Sequence, residues 1–284
     1  MKILTTIILT LICVTSSYAK LNVLVSITPQ KSFVEEIGGD KVDVTLLVPI
    51  GTNPNFYEPK ASKMMEIDKS DIYFTIGGHF EKAWLPRIKN QNNDMKIIDC
   101  SKTVERIDVK SNKKSEKLNS NQLPKKDVHV WTTPKNIQKI GETIYETLVK
   151  YDSINKDYYK KNYEAFIKKA QETDTQIKEI LQNTKEGTKF MVFHPAWGYF
   201  ANDYKLEQMP IEVEGKEPKP KEIHQVLEKA KELNIKTILT QPEFSQKGAE
   251  VIANELNIKV VEISPLNPEW SQNLLNLAKA ISQN

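Results

Sequence analysis

The chain has 284 residues, of which 27% are charged and 39% are hydrophobic, so it is long enough for one large domain or two smaller ones. Lys and Arg number 40 against 37 Asp and Glu, and the lysines are scattered among acidic residues. A net charge of +3 without a basic cluster gives no electrostatic case for nucleic-acid binding.

Residues 1–19, MKILTTIILTLICVTSSYA, have the pattern of a secretory signal peptide. A basic residue at Lys2 precedes a short apolar stretch, and small residues precede the end at Ala19. The apolar stretch is too short to span a membrane. We therefore expect cleavage after Ala19 and a soluble exported protein, periplasmic or extracytoplasmic. A lipid anchor at Cys13 is the alternative, which we disfavour because the preceding Ile12 is not small.

Short runs rich in β-branched residues alternate with stretches of helical periodicity in both halves of the chain. In the first half these runs are NVLVSI (22–27), VDVTLLVP (42–49), DIYFTIGG (71–78) and MKIIDC (95–100). In the second half they are KFMVFH (189–194), IKTILTQ (235–241) and IKVVEI (258–263). Strands that alternate with helices predict parallel sheets flanked by helices. We therefore predict an α/β fold with two lobes, residues 20–154 and 184–284.

A long helical stretch separates the two predicted sheets. Its apolar residues recur every three or four positions, glycine and proline are nearly absent, and the segment YDSINKD (151–157) interrupts it. The second piece, residues 155–183, would be more than about 40 Å long as one helix. We predict that this single rigid helix joins the lobes. The polar segment 109–127, before the helical stretch, is predicted to be a surface loop.

Three of the four histidines fall at predicted strand ends or in turns. His79 follows the run DIYFTIGG, His129 lies in DVHVW and His194 ends KFMVFH, whereas His224 lies within an amphipathic helix. Ligands of parallel sheets bind beyond the carboxyl ends of the strands, and neutral imidazole is a common metal ligand. Each histidine alone would also fit a structural role, but together they indicate a metal site built from several loops.

Four segments follow one another in a recognisable order and spacing. They are VPIGTNPNFYEPKASKMMEIDKSDIYFTIG (48–77), DVHVWTTPKN (127–136), FHPAWGYFANDYKL (193–206) and QPEFSQKGAEVIANELNIKVVEISPL (241–266). This set resembles the exported metal-binding solute receptors of zinc and manganese ABC importers, over nearly the whole chain after residue 19. The resemblance implies two α/β lobes joined by a rigid helix, one metal ion in the cleft, and delivery of that ion to a membrane permease.

The resemblance assigns metal ligands to two residues of this chain. His129 matches the second histidine of the family pattern, and His194 matches the ligand that follows the first strand of the second lobe. The chain departs from the pattern at two other places. Asn55 stands where the family has its first histidine, and Ser264 stands where it has an acidic residue.

Two residues are candidates to replace these missing ligands. His79 lies at a neighbouring strand end, where the pair Gly77–Gly78 would let the backbone turn toward the cleft. The alternative is an exposed histidine before a helix whose start is favoured by the charge of Glu81. Glu243 follows another strand, and its alternative role is likewise a charge at a helix N-terminus.

Further donors remain open in the sequence. Water would also fill an open metal position. The acids Glu212, Glu214 and Glu217 lie on a proline-bounded loop and are expected at the rim of the cleft or in a contact between lobes.

We expect zinc as the cargo in preference to manganese, because three histidines and one oxygen suit zinc better. We also expect a monomer that works with an ABC permease. We expect no enzymatic activity, since common nucleotide, zincin, redox and hydrolase motifs are absent. Two alternatives stay open. Asn55 and Ser264 favour a degenerate receptor for a non-metal ligand, or an interaction protein such as an adhesin. A zinc enzyme would need Glu243 or Glu81 as its general base.

Overall fold

The computed structural model describes residues 20–109, 126–212, 217–244 and 247–283. The predicted signal peptide with Cys13, nearly all of the predicted polar loop 109–127, and Glu214 lie outside these residues.

The first lobe contains a sheet of four parallel strands in the order β2–β1–β3–β4. The central strands β1 and β3 are buried, because helices cover both faces of the sheet. Val23 pairs with Val44 on one side and with Ile72 on the other. The elements are β1 (Leu21–Val25), α1 (Thr28–Gly38), β2 (Val42–Leu46), α2 (Ala61–Ile67), β3 (Ile72–Thr75), α3 (His79–Gln91) and β4 (Lys96–Asp99).

Two long helices, α4 (Pro134–Tyr151) and α5 (Lys156–Leu181), follow the first sheet. Pro134 suits the first position of α4 because that position needs no N–H donor. A short 3₁₀ turn at Ser153–Asn155 separates the helices, within the predicted break YDSINKD. Helix α5 is 26 residues long, about 39 Å at the usual rise, and buries one face that runs from Tyr159 to Leu181. The predicted connecting helix is therefore present.

The second lobe repeats the topology of the first, with four parallel strands in the order β6–β5–β7–β8. Its elements are β5 (Lys189–Val192), α6 (Gly198–Asp203), β6 (Glu207–Pro210), α7 (Pro220–Glu232), β7 (Thr237–Thr240), α8 (Lys247–Leu256), β8 (Lys259–Glu262) and α9 (Trp270–Ser282). Strand β6 has no counterpart among the predicted runs, because its sequence EQMP is polar and carries a proline. A proline is tolerated there because β6 is an edge strand.

Helix α9 makes a further contact between the lobes that the sequence periodicity does not reveal. Trp270 is buried, with its ring 6.0 Å from that of Phe33 in α1 and 5.6 Å from that of Phe166 in α5. Its indole N–H donates to Glu36 Oε1 at 2.8 Å. One hydrophobic core therefore runs from the first sheet through α4 and α5 to the second sheet and α9.

None of the helices in the described parts of the chain is long and apolar enough to cross a membrane.

Candidate metal centre

A small cavity of about 50 Å³ lies between the two lobes. The loop after β2 and the segment before α4, which carries His129, line it on the side of the first lobe, and the loop after β8 lines it on the side of the second. The rest of the wall comes from the loops that follow β1 and β3 in one lobe and β5 and β7 in the other. These are the strands between which the order of each sheet reverses, where open α/β sheets bind ligands. All four predicted site residues line the cavity: His79, His129, His194 and Glu243.

His129 and His194 face each other across this cavity. Their Nε2 atoms are 3.2 Å apart, and their rings meet at 76°. Two nitrogen ligands on one tetrahedral zinc ion, each at about 2.0–2.1 Å from the metal, are about 3.3–3.4 Å apart. The two imidazoles therefore have the separation expected of two ligands on one zinc ion.

A carboxylate lies beside the other ring nitrogen of each histidine. His129 Nδ1 is 2.8 Å from Asp127 Oδ1, and His194 Nδ1 is 3.0 Å from Glu212 Oε2. The second contact has the distance of an ion pair without the alignment of a hydrogen bond. Such carboxylates favour a proton on Nδ1, and they leave the Nε2 lone pair directed at the cavity. The separation of 3.2 Å is also that of a hydrogen bond between the two rings, with one Nε2 as donor, and a bound cation would instead take the lone pairs of both Nε2 atoms.

Burial sets the charges of these groups. Loss of hydration is the main cause that lowers the pKa of His194 below its usual value, and the neighbouring His129 adds to this, whereas Glu212 and Asp127 oppose it. Burial alone would raise the pKa of Asp127, but hydrogen bonds and charge from His129 outweigh it and hold that pKa below its usual value. At neutral pH, His194 is therefore neutral and Asp127 is ionised, as cation binding requires.

Glu243 lines the cavity, and the two oxygens of its carboxylate have different surroundings. Its Oε1 accepts a hydrogen bond from Ser264 Oγ at 2.5 Å. Its Oε2 is buried and has no hydrogen-bond partner within the described ranges. Burial raises the pKa of this carboxyl group above its usual value. An unpartnered buried carboxylate oxygen is costly to maintain, so Oε2 fits the role of a metal ligand.

His79 is the exposed first residue of α3. In the turn before it, only Gly77 requires the conformational freedom of glycine, because its φ is +81°. Gly78 has φ −69°, which other residues adopt readily. In the described portion of the chain, no group of three or more His, Cys, Asp or Glu side chains surrounds a common metal position. The structure thus brings His129 and His194 together, whereas ligand roles for His79 and Glu243 stay predictions.

Glu81 is occupied by the turn that precedes α3. It is 3% exposed, and its carboxylate accepts backbone N–H bonds from Ile76, Gly77 and Gly78 at 2.6–3.2 Å. The hydroxyl of Ser26 donates to the same group at 2.5 Å. Glu81 therefore lies in the first turn of α3, as in the alternative stated for this segment, and its carboxylate is engaged in hydrogen bonds.

Two residues that support the histidines were not identified from the sequence. Gln241 accepts from the N–H of His194 at 3.0 Å and donates to its carbonyl oxygen at 3.1 Å, which fixes the loop after β5. Asp127 accepts from both the backbone and the ring of His129. The order Asp-Val-His was a usable signal for Asp127, because aspartates in turns often accept from the N–H two residues on. No local signal identifies Gln241.

Comparison with known proteins places this cavity in a family. The family model of ZnuA, the periplasmic component A of the zinc-uptake complex, matches residues 23–284. The chain is 28% identical over 253 residues to the high-affinity zinc uptake system protein ZnuA of Bacillus subtilis, a match that covers 87% of this chain and 79% of that protein. It is 25% identical over 243 residues to the manganese-binding lipoprotein MntA of Halalkalibacterium halodurans, covering 84% and 77%.

Another relative is longer than this chain. The match to the zinc-binding lipoprotein AdcA of Streptococcus pneumoniae, at 27% identity, covers 87% of this chain but 50% of AdcA.

Solved structures agree with these relatives. A crystal structure of ZnuA superposes with a TM-score of 0.84 at 36% identity, covering 93% of this chain and 98% of that one. The laminin-binding protein Lmb of Streptococcus agalactiae, described as bifunctional with adhesin and metal-transporting activity, has a TM-score of 0.78 at 25% identity, covering 93% and 98%. Since the family model spans nearly the whole chain after residue 22, the protein belongs to the ZnuA family of periplasmic zinc-uptake components.

Proposed function

We propose that this protein is an exported solute-binding protein that captures one zinc ion between its lobes and delivers it to an ABC-type permease. The observation that carries the proposal is the pair of Nε2 atoms of His129 and His194, 3.2 Å apart and each backed by a carboxylate at Nδ1. Membership of a family of zinc-uptake components, and relatives named for zinc uptake, support the same cargo.

The proposed ligands are His129 and His194, one oxygen of Glu243, and His79. Three imidazoles and one carboxylate oxygen make a four-coordinate site of borderline donors, which suits zinc better than manganese. His79 would supply the imidazole that Asn55 lacks. The cavity supports this exchange, because Asn55 and His79 both line it.

The proposal includes export and a partner at the membrane. Relatives named as a zinc-uptake protein and as lipoproteins support export in either form. We favour cleavage after Ala19 over a lipid anchor at Cys13, and a monomer that binds no nucleic acid. The site would lie between a first lobe of residues 20–154 and a second lobe of residues 184–284, which helix 155–183 joins.

A receptor of the same fold that has lost its metal is the competing function. Asn55 and Ser264 favour it, because neither residue type supplies the ligand that the family pattern has at these places. A zinc enzyme is not supported, because the family is one of uptake components. Of the two candidate bases, Glu81 is engaged in hydrogen bonds, and Glu243 is proposed here as a metal ligand.

Calorimetric titration of the metal-stripped protein with zinc and with manganese tests the proposal. We expect one tight zinc site, weakened at least about tenfold (about 1.4 kcal/mol) in His129→Ala and in His194→Ala. His224→Ala is the matched control, since this histidine is exposed on α7. A wild-type protein that binds no zinc would reject the proposal and favour the degenerate receptor.

The same titration assigns the two remaining ligands. His79→Ala and Glu243→Gln should each weaken zinc binding by a comparable factor. If either variant binds zinc as tightly as the wild type, that residue is not a ligand.

A further inference from the structure

Ser264 has a fixed orientation in the loop after β8. The backbone N–H of Leu266 donates to Ser264 Oγ at 2.9 Å, and the side chain of Asn273 in α9 donates to the Ser264 carbonyl oxygen at 2.8 Å. Because Oγ accepts from Leu266, its own proton is directed at Glu243 Oε1, 2.5 Å away. The serine therefore acts as a donor to the carboxylate and not as an acceptor.

This hydrogen bond makes the two oxygens of Glu243 unequal. Oε1 accepts a hydrogen bond from the serine, while Oε2 is buried and has no hydrogen-bond partner within the described ranges. A carboxylate binds a metal through one or both of its oxygens. The Ser264 bond occupies one lone pair of Oε1, whereas Oε2 has no competing partner and is the oxygen more readily available to a metal ion.

We propose that Ser264 is a positioning residue that favours metal binding through one oxygen of Glu243 over binding through both, and thereby favours zinc over manganese. This inference rests on the proposed function. Zinc is satisfied by four ligands, of which one is here a carboxylate oxygen. Manganese prefers a larger number of oxygen ligands, which a carboxylate bound through both oxygens would help to provide. The residue that replaces the family's acid thus makes one oxygen of the site less available to a metal ion.

The experiment must distinguish the proposed role of Ser264 in metal selectivity from a purely structural role. The bond from Leu266 and the bond from Asn273 would hold the loop in place even if the site bound no metal. Stability alone therefore does not distinguish the two roles. The ratio of the dissociation constants for manganese and zinc distinguishes the two roles, because a structural defect weakens the binding of both metals alike.

The test compares Ser264→Ala with Ser264→Thr, which keeps a hydroxyl donor. We expect Ser264→Ala to lower the ratio of the manganese Kd to the zinc Kd by about fivefold or more, because Oε1 loses its hydrogen bond and becomes easier for a metal ion to bind together with Oε2. We expect Ser264→Thr to keep the wild-type ratio. Ser271→Ala is the matched control, because its hydroxyl contacts Thr173 Oγ1 at 2.6 Å, away from Glu243.

A second readout reports the coordination directly. Cobalt(II) bound to the wild type should show the strong visible absorption of a four-coordinate ion, and Ser264→Ala should weaken it as coordination increases. In the Glu243→Gln background, Ser264→Ala should no longer change the metal ratio, since the serine acts through the carboxylate.

The outcomes separate this inference from the proposed function. If the wild type binds zinc but Ser264→Ala has the wild-type ratio and cobalt spectrum, the inference is wrong and the proposed function stands. An equal effect of Ser264→Ala with and without Glu243 also overturns the inference. A wild type without zinc affinity rejects both. If Ser264→Ala does not fold, Ser264→Thr and Glu243→Gln decide the question. The inference is then wrong if Ser264→Thr lowers the ratio of the manganese Kd to the zinc Kd. It is also wrong if Glu243→Gln leaves that ratio unchanged.

Discussion

The indole N–H of Trp131, in the first lobe, donates to the backbone carbonyl oxygen of Pro265, in the second lobe, at 2.8 Å. The same ring contacts His129 edge-on at 5.5 Å, and Pro265 directly follows Ser264. The bond therefore ties the segment that holds His129 to the segment that holds Ser264, the hydrogen-bond donor to Glu243. It joins the lobes at the cleft itself, in addition to the connection through α5.

Trp131→Phe should weaken this link between the lobes. Phenylalanine keeps an aromatic ring beside His129 but leaves the buried carbonyl oxygen of Pro265 without its donor, which costs about 1–3 kcal/mol. We expect a lower midpoint of thermal unfolding and faster zinc release. Calorimetry and stopped-flow transfer of zinc to a chelator measure these two effects. Unchanged stability and release would show that the bond contributes nothing to either.

Asp127→Asn should weaken zinc binding without removing a ligand. The carboxylate orients His129 through its Nδ1, and loss of such a partner typically reduces metal affinity about 10–100-fold. Glu212→Gln should have a smaller effect, because its contact with His194 Nδ1 is poorly aligned. Competition titration with a zinc chelator gives both values.

Asp108→Asn is the control for this pair of substitutions. Asp108 forms an exposed ion pair with Lys126, the residue that directly precedes Asp127. Exposed ion pairs contribute little to stability. A loss of zinc affinity in Asp108→Asn equal to that in Asp127→Asn would mean that general charge, and not the orientation of His129, determines the affinity.

The sequence was sufficient for the two-lobe fold and the long central helix, and it indicated that His129 and His194 lie at one cleft, while their role as metal ligands stays a prediction. Periodicity reveals buried strands and long helices, and the positions of these histidines at strand ends or in turns mark the cleft. Edge strand β6 was missed because its polar residues do not show the pattern of a buried strand. Periodicity also shows which face of α9 is buried, but not that Trp270 reaches α1.

The supporting residues of the site depend on tertiary contacts that the sequence does not show. Ser264 and Glu243 are 21 positions apart, and their hydrogen bond exists only because β7 and β8 are neighbours in the sheet. Glu212 was expected at the rim of the cleft or in a contact between lobes, but its contact with His194 Nδ1 depends on how the loop after β6 folds.

Gly77→Ala and Gly78→Ala should differ sharply although the two residues are adjacent. Gly77 has φ +81°, and an added Cβ would lie 2.4 Å from Arg106 Nη2. Gly78 has φ −69° and nothing within 4 Å of such a Cβ. We expect Gly77→Ala to cost at least about 1 kcal/mol of unfolding free energy, and Gly78→Ala less, from its position at the start of α3.

Urea unfolding of both glycine variants measures this difference. Equal costs would contradict the requirement for a positive φ in the turn before His79. If His79 is a ligand, Gly77→Ala should also weaken zinc binding more than Gly78→Ala does, because the turn positions the start of α3.

Acid should weaken zinc binding, because protons and zinc compete for the same Nε2 atoms. Burial holds the pKa of His194 below the usual histidine value of about 6.5, so competition at this residue begins only below that pH. Protonation of Glu243, whose pKa burial raises, acts in the same direction. In the metal-free protein, the lowered folded-state pKa of His194 means that the unfolded chain binds the proton more readily, so stability is also lost as pH falls below about 6.5. Chelator competition from pH 7.5 to 5 should show the zinc Kd rising, with a shallower dependence in His194→Ala. An affinity that stays constant over this range would contradict a site built from several histidines.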